Sequence, residues 1–500
     1  MLNNTTSLYK IEQIQELEKI AIERFGVSVD NLMQRAGKAA FRELKKRWRA
    51  ARNITVVCGK GNNGSDGYVV ANLAKKARLN VKILQLVPYD NLNGAAKRAA
   101  LRCKKLKIKV LPFSAKELRG SDVIVDAILG TGLTGKVTGK FKLAIDAINE
   151  VSGKAKIPVF ALDLPSGIDA DTGNILGSAI SASATITFIG LKIGLLIGDA
   201  RDCIGELTSS DLSLPAKIFQ MLTPYAEKLS LAQEIKPLAP RKRTAHKGNF
   251  GHVLVIGGDY GMGGAVRMTA EAALRVGAGL VTVATRPKNA LVINAACPEV
   301  MAHGVSTSKK LSPLLAKASV IVIGPGLGTS SWGKSLFNAA VKAKKMMVID
   351  ADGLNILAGF RKRQGNWVLT PHPGEAARLL GVSNQMVQRD RLRAVQNIQS
   401  TFGGVSVLKG AGTLVAAAAE KIRVCDAGNP GMATAGMGDV LSGVIAGLLA
   451  QGLSLFNAAK LGVLVHAMAG DSLAIKQGKL GILALDLLPE IRSIISSKLK

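Results

Sequence analysis

Twice along this 500-residue chain, short apolar runs rich in β-branched residues alternate with amphipathic helical stretches. That alternation restricts the fold more than any other feature, because it is the pattern of a mostly parallel sheet with helices on both faces. In the first half the runs are Ile54-Thr-Val-Val-Cys58, Val81-Lys-Ile-Leu84, Val123-Ile-Val-Asp126 and Pro158-Val-Phe-Ala-Leu-Asp163. Two helices are expected ahead of them, over Ile11 to Arg24 and Asn31 to Arg47. In the second half the runs are Val253-Leu-Val-Ile256, Val281-Thr-Val283, Val320-Ile-Val-Ile323, Met347-Val-Ile-Asp350 and Val405-Ser-Val-Leu408, and long small-residue helices follow from about Ala433. Between the halves, from Pro215 to Lys247, the periodicity decays through Pro224, Pro237, Pro240 and the basic run Arg241-Lys-Arg243. The expected architecture is therefore α/β with two domains, residues 1–220 and 246–500, and a linker over 221–245. Such a length suits two domains of ordinary size.

Composition removes several classes of function. Hydrophobic residues make up 48% and charged residues 20%, with 54 glycines and 16 prolines, which excludes disordered and collagen-like chains. A net charge of +31 would attract polyanions. The basic residues are scattered, however, aromatics are 4%, and no nucleic-acid-binding motif accompanies them, so a lysine-rich surface is expected and no specific nucleic-acid partner. The five cysteines, Cys58, Cys103, Cys203, Cys297 and Cys425, are odd in number, widely spaced and without a CxxC pair. A disulfide framework or zinc cluster is not expected, and a cytoplasmic location fits. The first residues lack an apolar segment of signal-peptide length. The uncharged stretch Val440 to Ala459 approaches the length of a membrane span, but Ser442, Gln451, Gly452, Ser454 and Asn457 interrupt it. It reads as buried helix, and no membrane partner is expected.

Gly59-Lys-Gly61-Asn-Asn-Gly64 satisfies GxGxxG between a strand and a helix, where glycine amides can approach a pyrophosphate. A dehydrogenase site also needs an acidic residue about 20 positions on for the ribose, and Lys82 to Pro88 supplies none. Gly130-Thr-Gly-Leu-Thr-Gly135-Lys136-Val137 nearly spells a P-loop but has Val137 where a magnesium-binding hydroxyl belongs. What remains is a set of hard oxygen donors at strand ends: Asn62, Asn63 and Asp66, then Asp126, then Asp163 and Ser166. Loops at the carboxyl ends of strands converge on ligands in open α/β sheets, and such donors suit an alkali or alkaline-earth cation. Each alone could equally be a turn former or helix cap.

Gly59-Lys-Gly-Asn-Asn-Gly-Ser-Asp-Gly67, Asp126-Ala-Ile-Leu-Gly-Thr-Gly-Leu133 and Asp163-Leu-Pro-Ser-Gly-Ile-Asp169, with Leu32-Met-Gln-Arg-Ala-Gly37 in the second helix, resemble the YjeF N-terminal family over about residues 5 to 215. The resemblance implies a Rossmann-like doubly wound sheet and an NAD(P)H-hydrate epimerase, which interconverts the R and S forms of NADH or NADPH hydrated on the nicotinamide ring. It further implies that Asn62, Asn63, Gly64, Ser65 and Asp66, with Gly130, Thr131, Gly132, Leu133, Thr134, Gly135 and Lys136, hold the hydrated nucleotide. Asn63, Asp126 and Ser166 would bind potassium, and Asp163 would contact the substrate and carry acid/base work. The chain departs from the family in having Ser65 at a loop position usually occupied by glycine, and Ser183 where an Asp often precedes the Thr-Ile-Thr-Phe188 strand.

In the second half the strongest signal is Gly428-Asn-Pro-Gly-Met-Ala-Thr-Ala-Gly-Met-Gly438-Asp439, running into Val440-Leu-Ser-Gly443. A glycine-rich loop at a helix N-terminus offers free amides and a positive dipole end to anionic oxygens. Asp439, directly behind them, can take a proton from a hydroxyl while phosphate is delivered to it. Other loops follow strand ends: Gly257 to Gly264, Gly324-Pro-Gly-Leu-Gly328, Asp350-Ala-Asp-Gly353, Thr370-Pro-His-Pro-Gly-Glu375 and Leu408-Lys-Gly-Ala-Gly-Thr413. Lys409, with Gly410, Gly412 and Thr413, suits phosphate contacts. His246, His252, His303 and His466 are assigned to packing or surface. This set resembles the YjeF C-terminal family of ribokinase-like NAD(P)H-hydrate dehydratases, from about His246 to Pro489. By that resemblance Ala265, Gly326, Gly328 and His372 line the hydrate site, and Lys409, Gly410, Ala411, Gly412, Thr413 and Gly438 bind the adenine nucleotide. Asp439 would then act on the ring hydroxyl, with ADP as phosphoryl donor and Mg2+ accompanying it.

Both resemblances come in the order of the fused bifunctional family, so the expected substrates are hydrated NADH and NADPH together with ADP. Glycine-rich sheets with small-residue helices often associate, and a homo-oligomer is expected. The alternative is a small-alcohol kinase on the same C-terminal fold, with a non-catalytic nucleotide-binding module ahead of it. Such a kinase would release a stable phosphorylated product, whereas dehydration releases phosphate.

Overall fold

The computed structural model describes residues 6–92, 94–360 and 362–498, which divide into two compact units, Met1–Ala226 and Glu227–Lys500. Part of the stretch expected as a linker, 221–245, belongs to the body of the second unit. Leu229, Ile235 and Leu238 are buried in its core, Lys460 pairs with Glu234 at 2.8 Å, and Lys421 and Arg423 pair with Glu227. The prolines stop regular structure there, but the apolar residues between them still find a core.

The first unit is built on seven parallel strands in the order Lys109–Pro112, Asn80–Gln85, Asn53–Cys58, Val123–Ala127, Val159–Leu162, Ala184–Phe188, Glu206–Ser210. Alternate side chains of these strands enter two different cores: Val56 and Val125 face one, Val57 and Ile124 the other. That is the doubly wound arrangement. Helices Ile11–Phe25 and Val29–Arg47 lie within two residues of their expected bounds. Gly26 ends the first in the left-handed region, and the Ser28 hydroxyl caps the second by accepting from the Asn31 amide. A short parallel pair, Ser7–Tyr9 with Leu191–Lys192, sets Lys192 beside Tyr9. The strand order reverses between Asn53–Cys58 and Val123–Ala127, and such a switch point is where open α/β sheets bind ligands.

The second unit carries seven parallel strands, ordered Met301–Gly304, Leu280–Thr285, His252–Ile256, Val320–Ile323, Met346–Ile349, Trp367–Leu369, Val405–Leu408, continued by the antiparallel strands Thr413–Ala417 and Ile422–Cys425. Val253, Val255, Val320 and Val322 join one core with helices Gly263–Arg275, Met437–Ala450 and Leu455–Gln477, while Leu254, Ile256, Ile321 and Ile323 are equally buried on the other face. The uncharged stretch Val440 to Ala459 is two buried helices rather than one, because the chain turns between Ala450 and Leu455. Leu455–Gln477 has the length and hydropathy of a membrane span, and 72% of its apolar window is buried within the protein.

Candidate active sites

In the first unit, the loop after Asn53–Cys58 and the loop after Val123–Ala127 touch. A Cβ on Gly59 would stand 1.9 Å from the Ile128 carbonyl oxygen, so only glycine fits at that crossing. Helix Asn62–Lys76 then starts with no side-chain cap. Asn62, Asn63, Ser65, Asp66, Gly130, Thr131, Gly132, Leu133, Thr134 and Asp163 all border one cavity of about 630 Å³. Three residues expected to hold substrate do not border it. Gly64 packs on the Gly59 carbonyl, which a Cβ would approach to 2.2 Å, and Gly135 and Lys136 are exposed. Ser65 is accommodated without strain: it lies inside the helix and its hydroxyl donates to the Gly61 carbonyl at 3.2 Å. Ser183 is remote from the cavity and accepts from the Val159 amide at 3.2 Å.

The three oxygen donors expected around potassium do come together. Asp126, fully buried, accepts from the Ser166 amide at 2.8 Å and the Ser166 hydroxyl at 2.6 Å. Burial pushes its carboxyl up to about 6 against those donors. Asn63 donates to the Leu129 carbonyl at 2.8 Å, which leaves its own side-chain oxygen buried without a hydrogen-bond partner. The Ser166 hydroxyl also reaches the Leu129 carbonyl at 3.2 Å, so Asn63 and the Asp126–Ser166 pair meet at one carbonyl; an orphaned amide oxygen with carbonyl, hydroxyl and carboxylate oxygens in that cluster is a donor set that fits a hard cation.

Asp163 follows strand Val159–Leu162 and is held at φ +65°, a backbone region uncommon for any residue but glycine. Its amide donates to the Ile186 carbonyl at 2.7 Å, and its carboxylate receives the Phe188 amide, the Thr187 hydroxyl and the Lys192 ammonium. Lys192, 1% exposed, also donates to the Thr187 hydroxyl and the Phe188 carbonyl. Sequence reasoning missed Lys192; the signal was a lone lysine inside the otherwise apolar run Ile189 to Ile197.

In the second unit, the five loops expected at strand ends leave the carboxyl ends of parallel strands, whereas the loop from Gly428 to Gly438 follows the antiparallel strand Ile422–Cys425; side chains tie these loops together. The Gly328 amide donates to Asp352 at 2.9 Å, and a Cβ on Gly326 would lie 3.4 Å from that of Ala265. Lys409 reaches Asp350 at 2.9 Å and Glu375 at 3.9 Å, and the Ser442 hydroxyl donates to the other Asp350 oxygen at 2.8 Å. Burial opposes the ammonium of Lys409, but Asp350 and Glu375 raise it overall. The same pairing holds Asp350 below the ordinary carboxylate range despite its burial. The charge of Lys409, expected to face phosphate, is thus turned inward onto two carboxylates. What Gly410, Ala411, Gly412 and Thr413 present is backbone, propped by the buried Arg391, which donates to the carbonyls of Lys409 and Gly412.

Asp439 sits in the first turn of helix Met437–Ala450, whose N-cap Gly436 is left-handed and closes no amide with a side chain. Desolvation first, then Asp350, pushes its carboxyl up to about 7. Gly438 lies directly against the ion pair, since a Cβ there would stand 3.2 Å from the Lys409 nitrogen. His372 caps helix Pro373–Leu380, its Nδ1 accepting from the Gly374 amide and its Nε2 3.3 Å from Glu375. Burial and the charge of Lys409 lower its basicity, and burial pushes Glu375 up to about 7. Asp350, Glu375, Ser442 and Arg391 were not assigned functional roles from sequence. His466 is buried and bonded at 3.0 Å to the Met437 carbonyl, and burial drives its basicity down to about 4.

Comparison with known proteins bears on both units. A family model described as YjeF-related protein N-terminus matches residues 29–194, and one described as NAD(P)H-hydrate dehydratase matches residues 253–493. The chain is 49% identical over 491 residues to the bifunctional NAD(P)H-hydrate repair enzyme of Coxiella burnetii, covering 98% of this chain and 100% of the relative. It is 43% identical over 490 residues to the enzyme of the same description from Escherichia coli, covering 98% and 94%. Among solved structures, a hypothetical protein of Streptococcus mutans is 33% identical with a TM-score of 0.51, covering 55% of this chain and 100% of that one. A ribokinase-like superfamily protein of Enterococcus faecalis is 31% identical with a TM-score of 0.50, covering 54% and 95%.

Proposed function

The chain belongs to the family of bifunctional NAD(P)H-hydrate repair enzymes, and from that premise we infer that its two sites act in series on one damaged pool. The YjeF-related unit is the epimerase and the ribokinase-like unit the dehydratase. The first site brings R hydrate to S hydrate; the second removes water from the S form and regenerates NADH or NADPH.

In the first site, the residues bordering the cavity from Asn62 to Asp66 and from Gly130 to Thr134 hold the hydrated nucleotide. Asp163 takes part in proton transfer at the hydroxyl-bearing carbon. Asn63, Asp126 and Ser166, with the Leu129 carbonyl, would hold potassium, which supplies fixed positive charge beside the glycine loops.

In the second site, Asp439 takes the proton of the ring hydroxyl. The observation that carries this role is its position: a carboxylate shifted to about 7, with no hydrogen-bond partner among the described residues, behind the uncapped amides of a helix N-terminus. A phosphoryl group transferred to that hydroxyl makes it a leaving group, and elimination restores the dihydropyridine. Lys409 and Asp350 fix the floor against which Asp439 works, and the backbone of Gly410 to Thr413 receives phosphate oxygens. Among the described residues no three His, Cys, Asp or Glu side chains form a metal cluster. Magnesium would come with the phosphates of ADP and supply positive charge against them. The free, buried state of all five cysteines supports a reducing compartment such as the cytoplasm.

The test supplies the purified protein with mixed R and S hydrated NADH, potassium, magnesium and ADP, then repeats the run with ATP, following reduced-nicotinamide absorbance and resolving the epimers by chromatography. Recovery of both epimers with release of AMP and phosphate is expected. A stable phosphorylated product without recovered NADH would favour the small-alcohol kinase instead.

A further inference from the structure

Of the five ionisable side chains that border the cavity of the first unit, Lys60 is exposed, and two of the other four are committed to each other: Asp163 and Lys192 form an ion pair. The third, Asp66, is 9% exposed and accepts no hydrogen bond among the described residues. It occupies the fifth position of helix Asn62–Lys76, too deep to cap the free amides of the first turn. The fourth, Glu18, comes from helix Ile11–Phe25. A carboxyl group taken from water without a donor keeps its proton. Burial, then the neighbouring Asp163 and Glu18, hold Asp66 well above the usual carboxylate range, and Lys192 only partly opposes them. Glu18 is likewise raised by burial, so Asp66 and Glu18 stand without a committed cation beside the Asp163–Lys192 pair in a common space.

We propose that Asp66 is the second proton-transferring group of the epimerase, working opposite Asp163. This rests on the epimerase reading and adds to it. Water adds to an enamine at the carbon bonded to nitrogen, so the hydroxyl of the hydrate stands beside the ring nitrogen. Asp66 gives its proton to that hydroxyl, the carbon–oxygen bond breaks, water leaves, and the nitrogen lone pair closes a carbon–nitrogen double bond. A water molecule then adds to the opposite face, the double-bond electrons return to nitrogen, and the surplus proton passes to the Asp163 carboxylate. No atom changes oxidation state overall. One proton has moved from Asp66 to Asp163 and returns through cavity water, and the reverse epimerisation runs with the two roles exchanged. The planar intermediate is open to water from both faces, and two acid/base groups let one protonate the leaving hydroxyl while the other receives the proton of the incoming water. Lys192 pairs with Asp163 and not with Asp66, which sets the two carboxyl groups in different surroundings.

The test uses the full-length protein, Asp66→Asn and Asp66→Glu, with R-hydrate consumption resolved by chromatography and S-hydrate dehydration followed in the same samples. In Asp66→Asn the kcat for R hydrate is expected to fall at least about a hundredfold, with KM changed less than about threefold. Asp66→Glu should restore part of it, and S-hydrate dehydration should stay at the wild-type rate in both. An acid loses activity as pH rises through its pKa, so wild-type epimerisation should decline on the alkaline side and Asp66→Asn should lose that limb. A raised KM with unchanged kcat and an unchanged pH profile would make Asp66 a binding residue alone and overturn the proposal. Wild-type protein that consumes R hydrate no faster than the spontaneous rate would overturn the epimerase reading itself, an outcome visible before any variant is made.

Discussion

The Lys409 ammonium stands 2.9 Å from the Asp350 carboxylate, although 59 positions separate the two residues in the chain. The second Asp350 oxygen receives the Ser442 hydroxyl. Both oxygens of this buried carboxylate are therefore occupied, whereas Asp439, close enough to feel both charges, has no hydrogen-bond partner among the described residues. The ion pair makes one carboxylate structural and leaves the other available for a proton.

If Asp439 is the base, dehydration needs its ionised form. The kcat for S hydrate should rise from about pH 6 to 8, through the value of about 7 to which burial pushes the group. Glu375, also near 7, shares that field, so the measured midpoint belongs to the cluster. Asp439→Asn should lower dehydration by about a hundredfold to ten-thousandfold and leave epimerisation intact. Rates of NADH recovery across the pH range check both statements.

Lys409→Met leaves Asp350 charged, buried and unpaired, a defect worth about 3–5 kcal/mol. Asp350 is held below its unfolded value, so its contribution is present above about pH 4 and is lost as the pH falls through the depressed native value. Urea unfolding of Lys409→Met should show the loss at pH 7, and Lys409→Met/Asp350→Leu should recover much of it. Equal stability of the wild type and the single variant would remove the pair from the fold's support.

Potassium that binds Asn63, Asp126 and Ser166 must stabilise the folded state by mass action, about 2.7 kcal/mol at a hundredfold excess over Kd. Melting temperature should therefore climb with potassium and not with tetramethylammonium at equal ionic strength. Asn63→Ala, which removes the orphaned oxygen, should flatten that response. A response unchanged in the variant would place the cation elsewhere.

Lys192→Met removes the ammonium that faces Asp163, and Asp163→Ala removes the carboxylate. Both should reduce R-hydrate consumption to the spontaneous rate while S hydrate is still dehydrated. Lys192→Met should also destabilise the chain by about 3 kcal/mol or more, because it strands a partly buried charge. Epimer-resolved chromatography and thermal melts separate the two effects.

Much of this fold is legible in the order of its residues. Four strands of the first sheet and five of the second follow from apolar runs, and helices Ile11–Phe25 and Val29–Arg47 from their periodicity. Strands Lys109–Pro112 and Glu206–Ser210 escaped, since they are only partly buried and carry few β-branched apolar residues. The glycine loops were legible because backbone that approaches another chain segment, as Gly59 approaches Ile128, tolerates no side chain. Local patterns carry that information.

Partnership between distant side chains is not local. Residue order is enough to specify two α/β units, the loops that meet at their strand ends, and the carboxylates within those loops. Which of those groups are charged, which are paired and which are left free is settled only by packing in three dimensions. Lys192 reaches Asp163, Lys409 pairs with Asp350, and Asp66 is left on the cavity wall without a donor. Each outcome depends on desolvation and on charges brought close by sheet order, and neither quantity exists until the strands are side by side.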